Sequence, residues 1–277
     1  MKEIACQFGE NKRLHGVLTV PREARRPNLA LVLVSAGFTA KSGPYRLYTD
    51  IARALAELGF MTLRFDLGGI GNSQIARPDQ PLQERTKQDI RDALTYLETN
   101  REINDFVIGG LCSGAEDAFR YAETDERTQG VILVDPHAYR NFAWRVRGIL
   151  TRYSFNRIVY KVLRTTKVIN VVVDTQDNSN VEGFEGSLID YQYMAQKEST
   201  RILSTLVDRG THVHYIYTAG RIDTFHHKSQ IYSMFPTVDF KDRLAIDHLP
   251  HIQHVQIFAE DRRILVDAIV RRFASLH

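Results

Sequence analysis

Apolar and polar residues alternate along residues 2–9 and again along 12–21, with Glu10-Asn11 between them. This period of two predicts an antiparallel hairpin. The pattern then changes. Residues 29–34 (Leu-Ala-Leu-Val-Leu-Val) are apolar throughout, the mark of a strand covered on both faces in a parallel sheet. A helical period follows over about 45–58, with Ile51, Ala54, Leu55 and Leu58 on one face and Gly59 at its end. The alternation continues with a buried strand over 60–67 and an amphipathic helix over 82–98 carrying Ile90, Ala93, Leu94 and Leu97. An apolar strand over 105–109, a helix behind it and a strand at 131–134 complete this half.

After Pro136 the rhythm breaks. Residues 139–166 are rich in arginine, tyrosine and phenylalanine at helical spacing, and 175–183 read as loop. Alternation resumes with a helix near 190–209, strands at 212–218 and 243–249, and a helix over about 260–275. Strand–helix alternation on both sides of one interruption predicts an α/β fold: a doubly wound, mostly parallel sheet built from 1–137 and 191–277, with an inserted helical cap at 138–190.

Composition narrows the function classes. The 277 residues are 43% hydrophobic and 25% charged with a net charge of +3, which gives no argument for a nucleic-acid partner. No run reaches the roughly 18 apolar residues of a membrane span, and the start lacks the apolar core of a signal peptide. A reducing cytoplasm is the expectation, with Cys6 a packing residue and Cys112 a free thiol.

The thiol sits in a telling context. Gly110-Leu111-Cys112-Ser113-Gly114 joins an apolar strand to a helix, the setting of a nucleophile elbow. The two positions flanking the nucleophile must be nearly bare because the turn is tight. Centred on Cys112 they are Gly110 and Gly114; centred on Ser113 they are Leu111 and Ala115, and the leucine does not fit. Cys112 is therefore the candidate nucleophile.

Its partners should lie at the carboxyl ends of the other strands. A general base is expected in the loop beyond the last strand, where His248, His251 and His254 compete. His248 falls within the strand pattern; His254, just before the turn into the last helix, is preferred to His251. The orienting acid should end another strand. Asp223, after a strand and a glycine turn, is preferred to Asp135, which ends the strand at 131–134. An oxyanion needs two backbone N–H donors, expected from Ser113 and from Phe38 in the loop after the strand at 29–34. Residues 66–73 lack the lysine of a phosphate loop and the glycine spacing of a dinucleotide site, and so read as a structural turn.

Taken together these residues resemble the α/β-hydrolase superfamily over nearly the whole chain. Residues 66–73 are similar to its Asp-x-x-Gly-x-Gly-x-Ser turn, 110–114 to its elbow, and Asp223 and His254 stand at the places of its acid and base. A narrower resemblance, in Gly-Leu-Cys at the elbow and the Arg- and aromatic-rich segment 135–164, is to hydrolases that accompany exosortase and exopolysaccharide loci. Dienelactone hydrolases are similar in their cysteine nucleophile. The sequence departs from the commoner pattern in having Cys112 for serine and Ile252-Gln253-His254 for the frequent Asp-His pair.

The expected chemistry is acyl transfer through a thioester at Cys112, as a hydrolase or transacylase on a small ester or thioester, free or bound to a carrier or coenzyme A. No cofactor or metal is called for. Trp144 and Tyr153 of the expected cap are candidate substrate contacts, and the cap arginines candidate contacts for an acidic carrier. The competing expectation is a hydrolase-fold protein that binds a ligand or partner without turning it over.

Overall fold

The computed structural model describes residues 1–37, 39–139, 193–221, 224–254 and 256–274. The alternating residues at the start form the expected hairpin, β1 (Lys2–Phe8) against β2 (Leu14–Val20), with Lys2 opposite Val20 and Phe8 opposite Leu14. β2 pairs antiparallel with β4 (Met61–Phe65). From β4 onward the strands are parallel: β3 (Leu29–Val34), β5 (Asp105–Leu111), β6 (Thr128–Val134), β7 (His212–Thr218) and β8 (Leu244–Leu249). Their spatial order is β1-β2-β4-β3-β5-β6-β7-β8.

β3 shows why its run had to be apolar throughout. Leu29, Leu31 and Leu33 pack with Leu47, Ile51 and Leu55 of α1 (Leu47–Glu57) and with Leu265, Ile269 and Phe273 of α6 (Ala259–Ala274). Ala30, Val32 and Val34 point the other way, onto Ile90, Ala93, Leu94 and Leu97 of α2 (Leu82–Arg101) and Ala118 and Tyr121 of α3 (Ser113–Ala122). Each buried leucine or valine stabilises the fold by about 1.5–3 kcal/mol, so a polar residue on either face would weaken the sheet at its centre. A third cluster joins α3, α4 (Gln196–Asp208) and β7 through Phe119, Leu203, Leu206 and Tyr215.

Some boundaries differ from the periodicity. α1 starts at Leu47, because Tyr45 and Arg46 take left-handed backbone angles (φ 46° and 71°) in a short 3-10 turn. α4 starts at Gln196 rather than near 190, Ala195 before it being extended. α5 (Gln230–Met234) is too short for a helical period to register. The expected cap lies almost entirely outside the described residues. At its two ends the Tyr139 hydroxyl donates to the Met194 carbonyl at 2.7 Å.

The sheet order locates the site. β3 has β4 on one side and β5 on the other, so the chain leaves the carboxyl ends of these neighbours in opposite directions and opens a crevice there. Cys112 follows β5 on this edge and Gly37 follows β3.

Candidate active site

Cys112 stands between β5 and α3 with φ 53° and ψ −117°, a conformation that L side chains rarely adopt. Holding it stores on the order of 1–3 kcal/mol, so neighbouring contacts must enforce it. The Cys112 amide donates to the Val134 carbonyl at 2.8 Å, and its carbonyl accepts from Ala115 and Glu116 in the first turn of α3. The glycine requirement is steric. A Cβ on Gly110 would lie 2.6 Å from the Gly114 carbonyl carbon, and one on Gly114 2.5 Å from the Val34 oxygen. Beneath the turn the fully buried Tyr48 hydroxyl donates to the Val34 carbonyl at 2.9 Å and accepts from the Leu111 amide at 2.8 Å. It bridges β3 and β5 where the strands diverge.

The imidazole that acts on the thiol is that of His254, whose side chain and charge lower it. On its other face, His254 Nδ1 is 2.7 Å from Asp135 Oδ2. Asp135 ends β6 with φ 50° and has no exposed surface. Its carboxylate also accepts from the Thr218 amide (2.6 Å) and hydroxyl (2.5 Å) at the end of β7. Three donors fix this carboxylate, and it in turn fixes the ring. Gly220 closes over the imidazole, since a Cβ there would be 2.4 Å from His254 Nδ1.

Charge follows from this geometry. Burial pushes the Cys112 thiol up, but the hydrogen bond and charge of His254, then the Arg221 charge and the Ser113 amide, outweigh it and leave the thiol below its ordinary value. The bonds to Asp135 and Cys112 push His254 up to about 9 against the opposing effect of burial. Each group thus favours the charged form of the other, thiolate beside imidazolium.

The Ser113 amide points at the thiolate. Its hydroxyl accepts from the Gly37 amide at 2.9 Å and so ties the elbow to the loop after β3. Phe38, Asp223, Trp144 and Tyr153 lie outside the described residues. The described carboxylate on His254 is that of Asp135, the acid weighed second on sequence grounds. His248 lies within β8, its ring against Phe225, and His251 is exposed in the loop beyond. Asp66 is the buried anchor of a turn, accepting from the Lys41 amide and ammonium, as a structural reading of 66–73 requires.

Tyr48 and Thr218 carried no sequence signal. Gly220 and Arg221 belong to the glycine turn after a strand, and Arg221 donates from Nε to the Asp135 carbonyl at 3.0 Å. A cavity of about 50 Å³ lined by Arg13, Ile75, Arg85 and Asp89 includes no residue of this cluster. Among the described residues, no group of three or more His, Cys, Asp or Glu side chains is arranged to hold a metal, and no helix is long and apolar enough to cross a membrane.

The family model for serine aminopeptidases, S33, matches residues 26–217, well over half of the chain. No curated protein sequence matches it significantly. Solved structures share the fold at low identity. A serine hydrolase without a lid from Xanthomonas campestris is 17% identical with a TM-score of 0.59, over 99% of this chain and 95% of that one. An α/β hydrolase from Penicillium is 18% identical with a TM-score of 0.60 over 98% and 99%. A dienelactone hydrolase from Anabaena variabilis is 12% identical with a TM-score of 0.59 over 99% and 97%. At these identities the likeness establishes the α/β-hydrolase fold and nothing finer.

Proposed function

The chain belongs to the serine aminopeptidase S33 family of hydrolases, and from that premise we propose that it cleaves an ester or thioester through a cysteine standing where the family uses serine. The observation that carries this reading is His254, which acts on the Cys112 thiol and has its Nδ1 2.7 Å from Asp135 Oδ2. Nucleophile, base and orienting acid are in contact, and the nucleophile has the strained backbone of an elbow.

On this reading Cys112 Sγ, as the thiolate with its proton on His254, attacks the scissile carbonyl carbon and the carbonyl oxygen becomes an oxyanion. The Ser113 amide and the Phe38 amide hold that oxygen. Collapse breaks the bond to the leaving group, which takes its proton from the His254 imidazolium and leaves an acyl-cysteine thioester. Neutral His254 then accepts a proton from water as the water attacks the thioester. Cys112 departs as thiolate, the acid is released, and the imidazolium is restored. Asp135 keeps Nδ1 protonated throughout and Nε2 turned to the reaction.

A second reading follows from the thiol itself. A thioester is open to amines, alcohols and other thiols, so a transacylase on a carrier- or coenzyme A-bound acyl group uses the same residues. A third, a binding protein without turnover, is opposed by the lowered thiol, since an idle buried cysteine would be raised.

Mass spectrometry after brief exposure to p-nitrophenyl acetate tests the assignment. The expected result is one acetyl group on the peptide containing Cys112, retained in Ser113→Ala and absent in Cys112→Ala. An adduct that survives Cys112→Ala would overturn it. Adding ethanolamine during turnover separates the first two readings, since a transacylase diverts product to the amide.

A further inference from the structure

We propose that Arg221 selects the substrate, and that the acyl group this site accepts carries a carboxylate or a comparable anion close to the scissile carbonyl. The proposal relies on the acyl-cysteine reading for the bond that breaks, but not for where the anion binds.

Arg221 ends the 3-10 turn Ala219–Arg221 that follows β7. This turn touches both partners of the thiol: Gly220 lies against the His254 ring, and Arg221 Nε donates to the Asp135 carbonyl at 3.0 Å. The guanidinium lies over Tyr193, its carbon 5.6 Å from the ring centroid. It is thus held beside the crevice from two sides.

Among the described residues no carboxylate comes within 4.0 Å of Arg221, and its buried Nη2 has no acceptor. Arg13 and Arg64, which are buried, and Arg127, which is partly buried like Arg221, each meet a carboxylate at 3.2 Å or less. The nearby acids are already engaged. Asp135 is committed to Thr218 and His254, and Glu116 accepts from the His137 amide at 2.7 Å. Burial pushes the Glu116 carboxyl up, against the lowering effect of the His137 amide and of the Arg120 and Arg221 charges.

A partly buried guanidinium with an unmet donor loses hydration without return. A ligand carboxylate restores the balance through charge-assisted bonds to the planar fork. The same charge acts on Cys112, so an anion bound here lies near the nucleophile. A neutral acyl chain would leave the guanidinium as it is and gain nothing from it.

Paired alkylation tests this without turnover. Iodoacetate and iodoacetamide both place a CH₂ on Cys112 Sγ with loss of iodide, and they differ in carrying a carboxylate or a neutral amide. Their rate ratio cancels any change in the thiolate fraction. Relative to the same ratio for glutathione, the expected ratio is at least 10-fold higher in the intact protein, falling to that of glutathione in Arg221→Gln and partly recovering in Arg221→Lys. Glutarate should also slow alkylation of the unaltered protein by iodoacetamide, whereas butyramide at the same concentration should not; this arm needs no variant to fold. Comparison of mono-p-nitrophenyl glutarate with p-nitrophenyl butyrate should show the same preference in kcat/KM. A ratio equal to that of glutathione, or one unchanged in Arg221→Gln, overturns the proposal, because the charge then serves the thiolate alone. An anion preference without an acyl adduct on Cys112 would instead overturn the acyl-cysteine reading and leave the Arg221 site standing.

Discussion

At Cys112 burial and the charged surroundings act in opposite directions, and the side chain that contributes most against burial is His254. Desolvation favours the thiol, and the imidazolium favours the thiolate. The sign of the pH dependence follows. The thiol titrates below its ordinary value, so alkylation by iodoacetamide should reach half its plateau below the ~8.5 of a free cysteine. His254 holds its proton up to about 9, so ester hydrolysis should fall along an alkaline limb near that pH. In His254→Asn the Arg221 charge and the Ser113 amide alone oppose burial, and the alkylation midpoint should move up. An unchanged midpoint would separate the two side chains. Asp135→Asn tests the next link. Its amide can donate to Nδ1 and so favour the wrong tautomer, which should lower kcat by on the order of 10²–10⁴. The three donors from Thr218 and His254 were placed to meet a carboxylate, so a fall in stability measured in parallel is also expected.

At the scale of elements, the site is a meeting of turns, and each turn is kept in place by close contacts. Gly220→Ala puts a methyl where the imidazole lies, and the ring has to move. A displacement of about 1 Å is enough to reduce turnover by roughly 10², with little change in the unfolding midpoint. Tyr48→Phe keeps the ring but orphans the Leu111 amide and the Val34 carbonyl. Urea unfolding should show a loss of about 1–3 kcal/mol, since two buried groups lose their partner. Such contacts also explain what could be read in advance. β3, α2 and the Gly110–Gly114 spacing are local patterns, and the elbow was legible because its steric demand falls on residues two positions away. His254 was legible from its place after the last strand. Asp135 was weighed second to Asp223, because the sequence does not show that it meets His254 across 119 positions or that the adjacency of β6 and β7 brings Thr218 to the same carboxylate. Tyr48 lay hidden for a similar reason: on the helical pattern it is one more apolar residue, and its hydroxyl matters only where two strands part.

Over the whole molecule, the antiparallel hairpin must be fastened to the parallel half, and a buried charge cluster does this. Arg13, just before β2, meets Asp89 of α2 at 2.6 Å and Asp92 at 3.0 Å, with Arg13 and Asp89 almost wholly buried. Asp89 also accepts from the Gly68 amide at 2.7 Å, so one carboxylate joins the hairpin, the 66–73 turn and α2. Burial raises the Asp89 carboxyl despite these donors. A raised folded value means that Asp89 favours folding most at pH below its unfolded value and loses that contribution as pH rises through the folded value. Arg13→Met removes the guanidinium and strands a carboxylate in the interior. At neutral pH the expected loss is about 3–5 kcal/mol by urea unfolding, the usual consequence of breaking a buried pair from one side. The loss should shrink as pH is lowered toward 4, because the stranded carboxyl can then take a proton and stay buried neutral. Asp89→Asn in the same background should recover much of the stability at neutral pH. If the Arg13→Met loss were the same at every pH, the hairpin would be held by its apolar contacts, Phe8 and Leu14 against α2, and the charge cluster would be incidental.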